Sequence, residues 1–224
     1  NLLEAILDPA GLALRTTYTW DRDGRQLTMT QGAGTAAAMT IAYAYDAFGR
    51  RSTETVSPGV LNLITTYTYD ANDNVVSKTD ASGRVTRFSY DAANRLRFSV
   101  DGAGSVSEVV YDAAGRATMT RTYAKVAVIT GLSAAPSEAE VAALVTAQTL
   151  ANDAQDDVSY RIYDRDGRLV MSVDGTGSAI EIVYDSAGRK VLERRYAQSA
   201  VLNATLRGQL QAGTATVATL RAAA

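Results

Sequence analysis

The chain has 224 residues, 46% of them apolar and 21% charged, so it can bury a core and is not compositionally disordered. Its net charge is only −2, from 22 basic and 24 acidic residues, which argues against an electrostatic footprint for nucleic acid. It holds no cysteine and no histidine, which removes disulfides, zinc–thiolate sites and Ser-His-Asp or Cys-His catalysis from consideration. No apolar stretch approaches the length of a membrane span and no secretory signal is visible. The chain opens inside a pattern and closes on LRAAA, and so reads as an excerpt of something longer.

In chain order the first turn signal is Asp8-Pro9-Ala10-Gly11. A hexapeptide then recurs: WDRDGR at 20–25, YDAFGR at 45–50, YDANDN at 69–74, YDAANR at 90–95, YDAAGR at 111–116, YDRDGR at 163–168 and YDSAGR at 184–189. A motif needed every twenty-odd residues is a piece of architecture, not a catalytic element, which a chain needs once. Between the copies lie further D-x-x-G turns at 80–83, 101–104 and 174–177. Asp opens a type I turn because its carboxylate accepts backbone N–H groups two residues on. Gly closes it because the fourth residue enters the left-handed region. The turn residues singled out are therefore Asp21 and Gly24, Asp46 and Gly49, Asp112 and Gly115, Asp164 and Gly167, and Asp185 and Gly188. Asp73 and Asn94 replace the glycine in their copies, and these are the residue types most tolerant of positive φ. The expected joint is a type I turn with a G1 bulge between adjacent antiparallel strands.

Between turns the segments alternate. Leu96, Phe98 and Val100 share one face, with Arg95, Arg97 and Ser99 opposite. Period-two patterning with short turns predicts a meander of strands six or seven residues long. The motif aromatic and the residue two before it share a face, as in Tyr18/Trp20, Tyr43/Tyr45 and Tyr67/Tyr69. They predict an aromatic and aliphatic band across the sheet, whose ordinary role is packing. The sharper reading makes Tyr43, Tyr45, Tyr67 and Tyr69 a platform for stacking sugars. The Arg or Asn that follows each turn (Arg25, Arg50, Asn74, Arg95, Arg116, Arg168, Arg189) reads as a row of exposed charge at one rim, discouraging edge aggregation.

A longer repeat overlies the short one. Residues 88–128 align with 161–201, so that Asp91 matches Asp164, Asp112 matches Asp185 and Tyr123 matches Tyr196, each pair 73 residues apart. The gap between them predicts one helix at about 137–151, opened by a capping box at Ser137-Glu138-Ala139-Glu140 or by Pro136. The segment from 199 places Leu202, Leu206 and Leu210 four apart, but its glycines and threonines weaken the helical reading. The expected organisation is a repeat sheet at 1–128, a helical insertion at 129–157, the sheet continuing at 158–198 and a second, helical insertion or tail at 199–224. Asp21-Arg22-Asp23-Gly24 and Asp164-Arg165-Asp166-Gly167 resemble the opening of a calcium loop, but position twelve is Gly32 or Gly175 where a glutamate is required. No metal site, cofactor or catalytic residue is implied.

These motifs resemble the YD-repeat (RHS-repeat) family, which includes bacterial Rhs proteins, the B and C subunits of insecticidal Tc toxin complexes and the extracellular shell of teneurins. The resemblance covers roughly residues 8–196, apart from the insertion. It implies a long antiparallel sheet that curves or spirals into a hollow β-shell, which in the bacterial members encloses a C-terminal toxin. The family's self-cleaving aspartyl motif has the form DPxGxxxG. Asp8-Pro9-Ala10-Gly11 matches its first four letters, but Arg15 stands where the last glycine is expected, so no catalytic residue is carried over. The expected function is a non-catalytic wall segment of a larger secreted or cell-surface protein, partnered by the rest of its own polypeptide or an enclosed toxin. The alternative is a surface adhesion module that binds glycans through the aromatic band; a hydrolase is the weakest reading.

Overall fold

The computed structural model describes residues 1–7, 14–152 and 154–223. The turn signal at Asp8-Pro9-Ala10-Gly11 lies outside them. The chain is mainly β: among the described residues fifteen strands follow one another in chain order as an antiparallel meander. Two compact units divide it, Asn1–Arg87 and Phe88–Ala224.

The first unit contains β1 (Glu4–Leu7), β2 (Leu14–Trp20), β3 (Gln26–Gln31), β4 (Met39–Tyr45), β5 (Arg51–Val56), β6 (Leu63–Tyr69) and β7 (Val75–Thr79). The division between units falls within β8 (Val85–Tyr90). Val76 is the one buried apolar residue among the described residues of this unit. One face is an apolar row in which Tyr18 opposes Met29, Met29 opposes Ile41, Ile41 opposes Val56 and Val56 opposes Leu63. The other face is rich in threonine. Its hydroxyls bond across strands, Thr19 to Thr28 at 2.7 Å, Thr30 to Thr40 at 2.8 Å and Thr68 to Ser77 at 2.6 Å. β-branched side chains fit a pleated surface, and such pairs contribute about 0.2–1 kcal/mol each.

The second unit continues with β9 (Leu96–Val100), β10 (Val106–Tyr111), β11 (Ala117–Thr122), α1 (Glu138–Ala147), β12 (Asp157–Tyr163), β13 (Leu169–Asp174), β14 (Ala179–Tyr184), β15 (Lys190–Arg195), α2 (Ala204–Gln211) and α3 (Val217–Arg221). Here the sheet has a roof. Val141 of α1 and Leu150 just after it pack with Phe98, Val100 and Val106. Leu206 and Leu210 of α2 and Leu220 of α3 pack with Met119, Val158, Tyr160, Ile162, Met171 and Val173. A fully buried side chain of this size contributes about 1.5–3 kcal/mol by leaving water.

The helices start where short polar side chains satisfy their first N–H groups. Ser137 accepts from Glu140 N at 3.2 Å, and Asn203 accepts from Leu206 N at 2.9 Å. The expected capping box at α1 is half formed, because the Glu140 carboxylate turns back to Ser133, accepting from its N–H at 2.8 Å and its Oγ at 2.9 Å. Helix α1 also ends earlier than the periodicity predicts, with Gln148 as its cap and Thr149 at φ 52. Pro136 precedes the cap and lies outside the helix. In the tail, Leu206 and Leu210 lie one turn apart on α2, while Leu202 precedes its cap.

Candidate functional site: the aspartate–arginine–tyrosine rail

Each hexapeptide turn closes with two backbone bonds. At the first copy, Gly24 N–H donates to Asp21 O at 3.2 Å and Asp21 N–H donates to Arg25 O at 2.9 Å. The fourth residue takes positive φ, 81° at Gly24 and 82° at Gly115. Asp73 and Asn94 take it too, at 65° and 59°, the region that Asp and Asn tolerate best among side-chain-bearing residues. Beside six of the seven motif aromatics the register then slips, between Thr19 and Trp20, Ala44 and Tyr45, Thr68 and Tyr69, Val110 and Tyr111, Ile162 and Tyr163, and Val183 and Tyr184.

The aspartate carboxylate is used on both oxygens. Asp112 Oδ1 accepts from Ala114 N and Arg116 N, both at 2.9 Å, and its Oδ2 accepts from Arg116 Nε at 2.7 Å. The same three bonds recur at Asp21, Asp46, Asp91, Asp164 and Asp185. At Asp70 the amide of Asn74 replaces the guanidinium, at 2.9 Å. Donors aimed at a carboxylate favour its charged form. At Asp21 and Asp185 the backbone N–H of the residue four on is the largest cause, and both carboxyls lie below the usual aspartate value. At Asp46, Asp70, Asp91, Asp112 and Asp164 desolvation is the largest single influence and pushes upward. The backbone and side-chain donors together outweigh it, and these carboxyls also end low.

The arginine then reaches the next repeat. The Arg25 guanidinium lies 5.2 Å from the Tyr45 ring centre, Arg50 4.6 Å from Tyr69, Arg95 4.5 Å from Tyr111, Arg116 4.8 Å from Tyr163 and Arg168 5.0 Å from Tyr184. Such stacking is worth about 0.5–1 kcal/mol at exposed sites. The tyrosine answers by donating its hydroxyl to the carbonyl that follows the arginine. These bonds run from Tyr45 to Gln26 O at 2.7 Å, Tyr69 to Arg51 O at 2.7 Å, Tyr111 to Leu96 O at 2.9 Å, Tyr163 to Ala117 O at 2.9 Å and Tyr184 to Leu169 O at 3.0 Å. Arg50, Arg95 and Arg116 also donate to the next motif aspartate's carbonyl, at 3.0, 3.3 and 3.1 Å.

Exposure shows what the tyrosine does. Arginines under a following tyrosine are 20–34% exposed, whereas Arg84 in a plain turn and Arg189 in the last motif are 76% and 80% exposed. The arginine row is therefore not simply solvated charge; most of it is stacked and bonded between repeats. The sequence carried one signal of this, since an Arg or Asn stands at Asp plus four in every copy, a fixed offset that solvated charge does not need. Arg116 and Tyr163 make their contact across the 129–157 insertion with the geometry of Arg95 and Tyr111. The rail thus skips the insertion.

The rail also bears on the candidate sugar platform. Tyr45 and Tyr69 have a guanidinium on one face, and so does Tyr43, from Arg51 at 4.2 Å. Tyr67 stands opposite Lys78 on the neighbouring strand. In the calcium-like segments, Asp21 and Asp23 both bind Arg25, at 2.6 and 2.9 Å, and Asp164 and Asp166 both bind Arg168, at 2.7 and 2.8 Å. Among the described residues no helix is long and apolar enough to cross a membrane.

A second recurring constellation was not anticipated. Glu108 and Glu181, 73 residues apart, each accept a phenol hydroxyl, from Tyr123 at 2.5 Å and Tyr196 at 2.6 Å. Arg97 pairs with Glu108 at 2.8 Å. Position 170, its counterpart, is a valine, and Arg221 of α3 pairs with Glu181 instead. Burial pushes the Glu181 carboxyl up most strongly, but the Tyr196 hydroxyl and the Arg221 guanidinium bring it below the usual glutamate value.

Comparison with known proteins places these features. A family model described as RHS Repeat matches residues 69–106, a stretch that holds the turns opening at Asp70, Asp80, Asp91 and Asp101. No curated protein matches the chain. Among solved structures, TcdB2-TccC3 without its hypervariable C-terminal region is 12% identical over 87% of this chain and 13% of that one, at a TM-score of 0.35. A Tc holotoxin pore of Photorhabdus luminescens is 13% identical over 90% of this chain and 13% of that one, at 0.36. A porin-like protein of Bacteroides uniformis is 14% identical over 86% of this chain and 92% of that one, at 0.28. Likenesses at these scores carry no argument about function, and this chain spans only 13% of the length of the Tc chains. The same bonded turn that fills the stretch matched by the RHS Repeat model at 69–106 recurs on both sides of it.

Proposed function

We propose that the chain is a non-catalytic wall segment of a YD-repeat shell, which sequesters a toxin or other cargo inside a larger secreted or cell-surface protein. The observation that carries this reading is the rail itself. Each motif carboxylate is committed to backbone N–H groups and an arginine or asparagine, and each linking tyrosine to the repeat before it. Residues spent in this way hold adjacent hairpins together, which is what a wall requires. Carboxylates held low are also poorly suited to act as general acids.

The test is limited proteolysis of the full-length protein, with and without Arg116→Ala and Tyr163→Phe. The expected result is a cargo segment that resists protease in the parent and is cleaved when the rail is broken. A cargo digested equally fast in both would overturn the proposal. The glycan reading is less well supported, because Tyr43, Tyr45 and Tyr69 each carry a guanidinium on one ring face. A glycan array with the folded chain tests it separately.

A further inference from the structure

The 73-residue repeat sets two glutamates in matching places on the sheet, with side chains 12% and 5% exposed, and they are neutralised from different directions. Glu108 of β10 is met from within the sheet. Arg97 of β9 pairs with it at 2.8 Å and donates to Val109 O at 2.7 Å. The same guanidinium reaches Glu138, at the start of α1, at 3.1 Å. Glu181 of β14 has no such neighbour, because the counterpart of Arg97 is Val170. Its guanidinium comes from a helix instead. Arg221 of α3 pairs with Glu181 and donates from Nε to the Tyr196 hydroxyl at 3.0 Å. Arg194 stands farther off, at 3.6 Å, and is half exposed.

Beside Val170 lies a cleft of about 440 Å³. The sheet lines it with Val170, Glu181 and Ile182, and the approach to α3 lines it with Ala215, Thr216 and Val217. The matching cleft in the earlier copy, of about 370 Å³, is lined by Arg97 itself, together with Glu138. Position 170 therefore has room for the side chain that its counterpart carries. Helix α3 has only five residues, too few to persist by propensity alone, and Leu220 is its one buried residue. What else holds it is a backbone bond, Val201 N–H to Ala223 O at 2.9 Å, and Arg221. A carboxylate as buried as Glu181 needs a paired cation to stay charged.

We infer that α3 is a releasable strap beside this cleft, clasped by Arg221 in place of the arginine that position 170 lacks. Docking of α3 and neutralisation of Glu181 are one event. In the earlier copy they are two, because Glu108 keeps Arg97 whether or not α1 is docked. The two roofs therefore open differently. Lifting α1 gives up the Glu138 contact and buried apolar area. Lifting α3 also leaves a buried carboxylate with only Tyr196 and the half-exposed Arg194 beside it, so the strap stays shut for as long as Glu181 depends on it. A cation supplied to Glu181 from within the sheet removes that dependence and lets α3 go, which uncovers the cleft. The inference is independent of what the wall encloses.

The test uses the 224-residue chain, with amide hydrogen exchange across residues 217–223 and urea melts of the second unit. Arg221→Ala is expected to speed that exchange at least about tenfold, to leave residues 138–147 of α1 unchanged and to lower the urea midpoint. Adding Val170→Arg to Arg221→Ala is expected to restore the midpoint, by returning a guanidinium to the place that Arg97 holds, while exchange across α3 stays fast. Stability regained with the strap still open is the signature of the exchange of arginines. Glu181→Gln is expected to speed the same segment, and Arg221→Ala is expected to add little to it. Glu138→Ala is expected to leave exchange across β10 as it is in the parent. Parent-like exchange across α3 in both Arg221→Ala and Glu181→Gln would overturn the proposal. So would a folded double variant whose midpoint stays low, or one in which α3 docks again. Should Val170→Arg fail to fold, Arg221→Ala and Glu181→Gln still decide.

Discussion

On the face that carries the residue before each motif aromatic, the first unit shows Thr17, Thr19, Thr28, Thr30, Thr53, Thr55, Thr66 and Thr68, and among its described residues it has no helix of its own. In the second unit the same face carries Val110, Met119, Tyr160, Ile162, Met171 and Val173, and the helices roof it. Both units nonetheless make the same turn bonds and the same arginine–tyrosine links, Arg50 to Tyr69 in one and Arg95 to Tyr111 in the other. The comparison teaches that the rail does not depend on a packed core. Strand order and register are set at the rim, and each unit is free to treat its faces differently. A hydroxyl-paired face contributes little hydrophobic stabilisation, so the first unit is held mainly by local bonds and the second by burial as well.

The largest expected contrast comes from the cores. Leu210→Ala, at a side chain 1% exposed, is expected to cost about 2–5 kcal/mol, whereas Ile64→Ala, at 39% exposed, is expected to cost well under about 1 kcal/mol. Urea melts followed separately in each unit would measure it, and equal losses would break the comparison. Next is Gly177→Ala. A Cβ there would sit 2.1 Å from Ala200 O, at a residue with φ +88. The expected cost is about 2–3 kcal/mol, with early hydrogen exchange in the segment after β15. Gly104→Ala, against Ala127 O at the same 2.1 Å, is expected to match it.

Smaller effects probe the rail. Gly115→Val, at φ +82, is expected to cost about 1–2 kcal/mol. Gly208→Val, inside α2 with open space around it, is expected to be neutral or slightly stabilising, since glycine is about 1 kcal/mol worse than alanine in a helix. Tyr111→Phe removes the bond to Leu96 O and is expected to cost about 1 kcal/mol, as is Tyr69→Phe in the other unit. The smallest contrast between units is expected on acidification. The motif aspartates of both have folded pKa values below their unfolded ones. Their contribution is therefore complete above the unfolded value of about 4 and is lost as pH falls below it toward the folded values. Acid melts should weaken the two units in parallel; a loss confined to one would show that its rail is not built from these carboxylates.

Much of this was written in the residues. Asp and Gly at fixed offsets, with alternation between them, announce hairpins, because turn chemistry is local and each turn depends on about five residues. The partnership of arginine with the following tyrosine was hidden by distance. Arg116 and Tyr163 are separated by the whole insertion and meet only once the strands have paired. The same holds for Glu181, whose arginine comes from α3, a helix whose own segment is rich in threonine and glycine. The end of α1 was overestimated for a related reason. The apolar periodicity continues to Leu150, but that residue is buried from outside the helix, after the turn made by Thr149.

The link from Arg116 to Tyr163 has a consequence for how such a chain can change. Hairpin connections alternate between two margins, and the arginine stitches run along only one of them. Sequence added at the opposite margin, as between β11 and β12, lengthens the thread without cutting a stitch. Whole helices can therefore be gained or lost there while the seam on the far side stays in register, which makes the unstitched margin the place where novelty enters.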